Sequence, residues 1–227
     1  MSDPPFPDPD DALPVEPGCS RCPELAAARE RIAWGNGPAD ADVVVVGEAP
    51  GAGTPDADRW KGGNWTGLAY TARHSGRIVR DLVADAFASV APDGHSDGNA
   101  ADAADHPGVF YTNAVKCFPP DGEGSNREPR ASEHANCLTH LEAEIEAVDP
   151  AVVVPTGRHA TRVLFEAAGR DLDGFLDAVL DPVPCDPLGV VVLPVLHPAY
   201  QHLWLSRLGY EYDDYVADLG SALDSLA

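Results

Sequence analysis

The sequence is poor in lysine, in aromatic residues and in long apolar runs. Lys61 and Lys116 are the only lysines among 227 residues, and aromatic residues make up 7% of the chain. The longest apolar stretch, residues 188–196, is far shorter than the roughly 20 residues that a membrane-spanning helix needs, and no basic segment precedes an apolar run at the start. We therefore expect no membrane partner and a cytoplasmic location. The length favours a single domain.

Basic residues are also scarce relative to acidic ones. The chain has 15 Lys and Arg against 37 Asp and Glu, which gives a formal net charge of -22. Because attraction to phosphates comes from Lys and Arg, this balance alone argues against a nucleic-acid partner. Aspartate, however, is spread over predicted loops and helices alike. This distribution is typical of a salt-adapted proteome, in which acidic surfaces keep proteins soluble, so the charge indicates the host more than the partner.

Cysteine is infrequent and odd in number. Five cysteines without a secretory signal disfavour a disulfide framework. The pair Cys19 and Cys22 and the single residues Cys117 and Cys137 could supply four thiolates to a zinc ion or an iron-sulfur cluster. A zinc ribbon would normally show a second Cys-x-x-Cys pair, so the spacing favours a [4Fe-4S] cluster, with zinc as the alternative and unliganded thiols as the plainest interpretation. Cys185 has no partner in this pattern.

Two stretches have the composition of disordered chain. Residues 1–17 are rich in Pro and Asp, and residues 93–107 are rich in Asp, Gly, Ala and His. Neither stretch has enough apolar side chains to offset the entropy of ordering. We therefore predict a flexible N-terminus and a disordered insertion within one domain that spans residues 18–227.

The rest of the chain alternates between strand and helix patterns. Val43–Val46 is a run of β-branched residues that ends in a Gly-rich turn, as expected for a strand buried on both faces. The other predicted strands are residues 109–115, 151–154 and 190–196. The predicted helices are residues 73–87, 132–148, 157–168 and 213–226. This alternation predicts an α/β fold with a parallel sheet covered on both faces.

Polar side chains stand at the ends of three predicted strands. Glu48 follows the first strand, Asn113 lies in the second, and His197 follows the fourth. Because the carboxyl ends of parallel strands meet at one edge of a sheet, these side chains are expected to share a pocket. Each of them alone is equally consistent with an ordinary turn or surface residue.

The loop after the first strand excludes one class of site and suggests another. Residues 47–54 lack the Lys-Ser/Thr ending of a nucleotide triphosphate loop and the G-x-G-x-x-G spacing of a dinucleotide site. The loop continues to about residue 72, and loops longer than about 12 residues inside a compact domain are commonly functional. This length makes Trp65 a candidate binding residue.

Taken together, these motifs resemble the iron-sulfur uracil-DNA glycosylases of the family 4 type. The resemblance rests on Gly47-Glu-Ala-Pro-Gly51, Asn113-Ala-Val-Lys-Cys-Phe-Pro-Pro120, Asn126-Arg-Glu-Pro129, Cys137 and His197-Pro-Ala-Tyr200. It implies a three-layer α/β/α sandwich around a central four-stranded parallel sheet, and a [4Fe-4S] cluster. It further implies a monomer that hydrolyses the N-glycosidic bond of uracil in DNA and so starts base excision repair.

The resemblance also implies a role for each site residue. Trp65 would stack on the flipped base, Asn113 would pair with the uracil edge, and His197 would donate a hydrogen bond to a uracil oxygen. Glu48 would position water. The pocket wall would be the backbone at Gly47, Ala49, Pro50 and Gly51. The cluster ligands would be Cys19, Cys22, Cys117 and Cys137, and the residues near DNA phosphates would be Arg127 and Arg130.

Two departures from the family pattern keep other functions open. The family loop with the stacking ring reads Pro-Phe-Val-Gly and then Ala-Gly, whereas this chain has Asn64-Trp-Thr-Gly67, an inserted Leu-Ala-Tyr-Thr-Ala and His74-Ser-Gly76. The acidic residues that tend to follow Gly-Glu-x-Pro-Gly are replaced by Ala52-Gly-Thr54. The alternatives are a glycosylase for another damaged base and a non-catalytic iron-sulfur DNA-binding protein on the same fold.

Overall fold

A computed structural model describes residues 4–90, 108–197 and 200–227 of the chain. The strands are β1 (Ala12–Leu13), β2 (Gly35–Asn36), β3 (Val43–Gly47), β4 (Val109–Asn113), β5 (Val152–Pro155), β6 (Val183–Cys185) and β7 (Val190–Val192). The α-helices are α1 (Pro23–Ala28), α2 (Gly63–Thr66), α3 (Ser75–Val90), α4 (Ala131–Val148), α5 (Arg158–Ala167), α6 (Gln201–Leu208) and α7 (Tyr212–Leu226).

The strands form one mixed sheet with the order β1-β2-β4-β3-β5-β7-β6. Its four central strands, β4, β3, β5 and β7, are parallel to one another. This arrangement confirms the predicted α/β fold with a parallel centre. The sheet is nevertheless larger than the predicted four strands, because β1 and β2 extend one edge and β6 extends the other, all in antiparallel pairings. These additions have two or three residues each, too few for a recognisable strand pattern.

Alternate valines of β3 explain the three layers. Val43 and Val45 pack into a core with α3 and α7, whereas Val44 and Val46 pack into a second core with α4 and α5. Each of the four is at most 1% exposed. Side chains alternate between the two faces of a strand, so a strand with helices on both faces is apolar at every position.

The fourth predicted strand is shorter than expected. Regular pairing ends at Val192, and a single bridge between Thr156 and Val195 continues the contact with the β5 segment. Hydrogen bonds to β5 nevertheless continue, because the Leu193 and Val195 N–H groups donate to the Val153 and Pro155 carbonyls at 2.9 and 3.0 Å. The chain remains buried up to Leu196 and reaches the cavity edge at His197.

The two stretches predicted to be disordered differ in what the structure describes. β1 lies within residues 1–17 and pairs with β2 at the sheet edge, and the flexibility of this segment stays a prediction. The proposed insertion, residues 93–107, lies outside the described residues. None of the helices in the described ranges has the length and apolar character that crossing a bilayer requires.

A buried ion pair joins the loop after β4 to α4. The Lys116 ammonium donates to Glu144 Oε2 at 2.6 Å, to Thr112 Oγ1 at 2.7 Å and to the Asn113 carbonyl at 2.6 Å. The other Glu144 oxygen accepts the Gly35 N–H at 2.9 Å. The two charged side chains are 1% and 0% exposed. This network fixes the end of β4 relative to β2 and α4.

Replacing Lys116 by methionine is expected to lower the free energy of unfolding by about 3–5 kcal/mol, because it leaves the Glu144 carboxylate buried without its charge partner. Chemical denaturation in concentrated potassium chloride measures this loss. The matched control is Lys61→Met, at the chain's second lysine, which is half-buried in a loop and should change the stability little. Equal effects of the two substitutions would contradict the role of the pair.

Candidate active site and cysteine cluster

The carboxyl ends of the central strands border one cavity. Gly47 of β3 lies opposite Asn113 of β4 in the parallel register. The cavity has a volume of about 880 Å³, and Glu48, Asn113 and His197 all contribute to its lining. The structure thus brings together the three polar residues that the strand order placed at one edge.

Glu48 lies in the loop directly after β3, with 29% of its side chain exposed. Burial raises the pKa of its carboxyl group, and the nearby imidazole of His159 opposes this increase. Among the described residues, no donor forms a hydrogen bond with Oε1 of Glu48, although this atom is buried. Buried polar atoms normally have a partner, so this oxygen is suited to hold a water molecule or a substrate group.

Asn113 is held at the cavity floor and is 5% exposed. The Ala114 N–H donates to the Gly47 carbonyl at 2.7 Å, which fixes the loop after β4 against β3. The Asn113 amide oxygen and the Tyr70 hydroxyl both lie against the Cα of Gly47, and a Cβ there would stand 2.8 Å from the hydroxyl. Glycine is therefore required at position 47 for the amide to keep this place.

His197 follows the β7 segment and is partly buried. Burial lowers the pKa of its imidazole, and the neighbouring His159 lowers it further. The ring lies over Gly157, where a Cβ would come within 2.9 Å of the His197 Cβ. Gly157 also has a φ of +88°, a conformation that side chains disfavour. The site thus favours a neutral imidazole, which can still donate one hydrogen bond.

The segment after β3 forms one wall of the cavity. Gly47, Ala49, Pro50 and Gly51 line it, at the place that the resemblance implied. The Val115 N–H donates to the Glu48 carbonyl at 2.9 Å, so the segment is tied to the loop after β4.

Several aromatic rings line the cavity, Tyr70, Phe175, Tyr200 and Trp204 among them, whereas Trp65 is not part of its described lining. Trp65 lies in α2, where its indole N–H donates to the Ala52 carbonyl at 2.9 Å and its ring packs beside Gly53. Trp65 is not among the residues that line the cavity, whereas Tyr70 is. The role of Trp65 as the stacking residue stays a prediction. Trp65 supports the loop after β3.

Tyr70 is held in a fixed orientation. Its hydroxyl shares a hydrogen bond of 2.7 Å with Thr156 Oγ1, its ring meets Tyr111 edge to face at 5.7 Å, and Arg80 donates to its carbonyl at 3.2 Å. Its φ of +53° lies in the left-handed region. Burial raises the pKa of the phenol well above its usual range. The sequence offered one signal for Tyr70, an aromatic residue in the inserted segment just before the Ser-Gly that opens α3.

Four cysteines gather in a small hydrophobic core beside the loop after β4. Cys19, Cys117 and Cys137 are buried in an apolar cluster that includes Leu25, and Cys22 packs against it. Burial raises the pKa of the Cys137 thiol to about 11 and also raises that of Cys117. In the free protein these thiols are thus protonated at neutral pH, and a bound metal would have to displace the protons.

Polar groups surround three of the sulfur atoms. Arg29 donates to Cys117 Sγ at 3.2 Å, Asn136 donates to Cys22 Sγ at 3.3 Å, and Nε2 of His140 lies 3.4 Å from Cys19 Sγ. A ring of donors around thiolates is typical of metal and iron-sulfur centres. Cys185 is buried in β6, outside this cluster.

The spacing of the sulfur atoms bears on the identity of the metal. A tetrahedral zinc site with bonds of about 2.3 Å sets its sulfurs roughly 3.8 Å apart. Within the described ranges, no three of these cysteines have sulfur atoms that all lie within 4.8 Å of one another. The described sulfur atoms are therefore not gathered into a preformed tetrahedral zinc site.

Arg127 and Arg130, which the resemblance placed near DNA phosphates, are engaged with carboxylates. Arg127 forms two hydrogen bonds with Glu133, at 2.7 and 2.8 Å, and Arg130 pairs with Glu24. Glu24 belongs to α1, the helix that begins directly after Cys22. These ion pairs therefore attach the N-terminal cysteine segment to the start of α4.

Comparison with known proteins places this architecture in a family. Residues 34–219 match the model of the uracil DNA glycosylase superfamily. A type-4 uracil-DNA glycosylase of Saccharolobus solfataricus is 26% identical over 80% of this chain and 71% of its own length. A type-4 enzyme of Archaeoglobus fulgidus is 29% identical over 93% and 91%, respectively.

A relative of a second type is similar over a comparable span. A type-5 uracil-DNA glycosylase of Pyrobaculum aerophilum is 30% identical over 85% of this chain and 83% of its own length. The family match runs from just before β2 into α7 and includes every strand of the parallel centre. The chain therefore belongs to the uracil DNA glycosylase superfamily.

Proposed function

We propose that this protein is a uracil-DNA glycosylase, a hydrolase that cleaves the N-glycosidic bond of uracil in DNA and so starts base excision repair. The observation that carries the proposal is a single cavity, lined by Glu48, Asn113, His197 and Tyr70, at the carboxyl edge of the sheet. Membership in the superfamily and relatives named as type-4 and type-5 uracil-DNA glycosylases support it.

The first task of such an enzyme is to take the base out of the DNA stack and recognise it. The Tyr70 ring offers a face on which the flipped base lies, a contact typically worth about 1–3 kcal/mol. The Asn113 amide accepts a hydrogen bond from uracil N3–H and donates one to O4. Cytosine presents the inverse pattern of donor and acceptor at these atoms. The close packing of Asn113 against Gly47 and Tyr70 restricts its position.

The second task is to stabilise the charges of the transition state. As the glycosidic bond breaks, uracil leaves as an anion and the sugar becomes oxocarbenium-like. Neutral His197 donates a hydrogen bond to the uracil oxygen on which negative charge develops. Glu48, on the opposite loop, positions the attacking water and faces the positive sugar. Both groups act most strongly on charge that exists only in the transition state.

We assign a structural role to a [4Fe-4S] cluster held by Cys19, Cys22, Cys117 and Cys137. Such a group would join the N-terminal segment, the loop after β4 and α4, which are distant in sequence. The gathering of the four cysteines in one small core and the donors around their sulfur atoms support this assignment. The proposed chemistry of base excision uses no electron from the cluster.

Uracil excision is tested by incubating anaerobically purified protein with single-stranded and duplex DNA that contains one uracil, in concentrated potassium chloride. We expect release of free uracil and an abasic site that alkali cleaves. A parallel panel of hypoxanthine and oxidised pyrimidines tests the other damaged bases. DNA that stays intact at every salt concentration would instead indicate a non-catalytic DNA-binding protein.

His197→Ala is expected to lower the single-turnover rate of excision by about 10²–10³-fold, the usual cost of losing a donor to a developing anion. Glu48→Gln should also lower the rate strongly, while both variants keep nearly normal DNA affinity. The matched control for the carboxylate is Glu30→Gln, at an exposed position. A wild-type rate in either site variant would remove that residue from the mechanism.

Tyr70→Ala and Trp65→Ala separate the two candidate stacking rings. Loss of the Tyr70 face should reduce single-turnover excision at limiting enzyme about ten- to hundredfold, in line with the energy of one base–aromatic contact. Trp65→Ala should have a smaller effect, because that ring packs against the loop outside the cavity. The reverse order would identify Trp65 as the stacking residue.

Cys137→Ala is expected to abolish the broad visible absorbance and the iron content of the anaerobically purified protein and to lower its stability, because binding energy at such sites is folding energy. Cys185→Ala, which removes a buried thiol outside the cluster, serves as the control and should keep both signals. Zinc without iron in the wild-type protein would refute the iron-sulfur assignment.

A further inference from the structure

A histidine from α5 stands between two carboxylates at the cavity edge. Nδ1 of His159 lies 2.9 Å from Glu128 Oε1 and 3.9 Å from Glu48 Oε1. Among the described residues, Nδ1 of His159 forms no hydrogen bond of acceptable geometry, with either of these oxygens or with any other atom. Three separate segments, the loop after β3, the loop before α4 and the start of α5, therefore meet at this one ring atom.

The outer carboxylate of this group is anchored. Arg162, on α5 with His159, donates to Glu128 Oε1 at 2.8 Å. This hydrogen bond, together with the charge of Arg162, lowers the pKa of Glu128. Glu128 thus stays anionic and gives His159 a fixed partner on the side away from the cavity.

We propose that His159 in its imidazolium form is a positioning residue that holds the Glu48 carboxylate ionised and in place for water activation. The inference rests on the proposed glycosylase function. The ring lies beside the cavity-lining oxygen of Glu48, and no acidic residue follows Gly51 directly to assist it. Glu128 and Arg162 complete the arrangement from outside the cavity.

The charge of the imidazolium acts on both proposed catalytic groups in a useful direction. Burial raises the pKa of Glu48, and His159 opposes this shift, which favours the carboxylate. The same positive charge lowers the pKa of His197, which favours its neutral form. Without His159, both pKa values would rise, so protonation would inactivate Glu48 and charge His197 at a higher pH than in the wild type.

Several other charged or titratable groups surround this site and enter the pH dependence. They come from the loop after β3, the loop before α4, α4, α5 and the β7 segment: Glu48, Glu128, His134, Arg162, Glu166 and His197. His134 interacts with His159 but is not among the groups that shift the pKa of Glu48. It is therefore a suitable control position.

The test is the pH profile of single-turnover uracil excision by the intact protein. In His159→Gln, the acid limb of the profile should move upward by about 0.7 pH unit or more, the shift that a unit charge about 4 Å away produces even in bulk water. His159→Lys restores a positive charge and should return the limb towards its wild-type position. His134→Gln should leave the limb in place. The His159 side chain is 36% exposed, so these variants are expected to fold.

The outcomes separate this inference from the proposed function. The role of His159 is overturned if the acid limb of the pH profile does not move in His159→Gln, or if it moves equally far in His159→Lys. This holds even if the rate falls at every pH. A wild-type protein that releases no uracil contradicts the glycosylase function itself. In that case NMR titration of the Glu48 carboxyl group still decides the inference, because its pKa must be higher in His159→Gln than in His159→Lys.

Discussion

The buried Lys116–Glu144 pair is the interaction on which the arrangement of both sites depends. Lys116 also binds the carbonyl of Asn113, the cavity residue, and is followed directly by Cys117 of the cysteine cluster. Glu144 lies two helical turns after Cys137 on α4. Because a buried charge without its partner is strongly destabilising, the pair sets a single relation between β4, its loop and α4. One buried connection thus positions both Asn113 and the cysteine cluster.

The burial of Glu48 and His197 likewise governs the chemistry of the cavity. Burial alone would drive Glu48 towards its protonated form and His197 towards its neutral form. The second effect suits a neutral hydrogen-bond donor, but the first opposes the role of a carboxylate. The proposed role of His159 meets this need, because its Nδ1 lies 3.9 Å from the Glu48 carboxylate. The proposed site thus combines a neutral donor and an anion in one partly buried cavity.

The sequence predicted those features that depend on regular structure. The valine run of β3 marked a strand covered on both faces, and the rule that parallel strands end at one edge placed Glu48, Asn113 and His197 together. It did not reveal the edge strands, which are too short to show a pattern. It also did not show that the Tyr70 ring lines the cavity, because that position depends on a left-handed backbone conformation and on a hydrogen bond to Thr156 across the sheet. Contacts between loops, such as Glu128 with Arg162, depend on the folded arrangement and leave no local signal.

The central claim is that the cavity at the sheet edge binds a uracil flipped out of DNA. The most direct test is a crystal structure of the protein with a duplex that carries one uncleavable uracil nucleotide. The account predicts the base in this cavity, with its ring on Tyr70, its N3 and O4 facing Asn113, and an oxygen within hydrogen-bonding distance of His197. A base bound elsewhere, or stacked in the duplex while the cavity stays empty, would contradict the account.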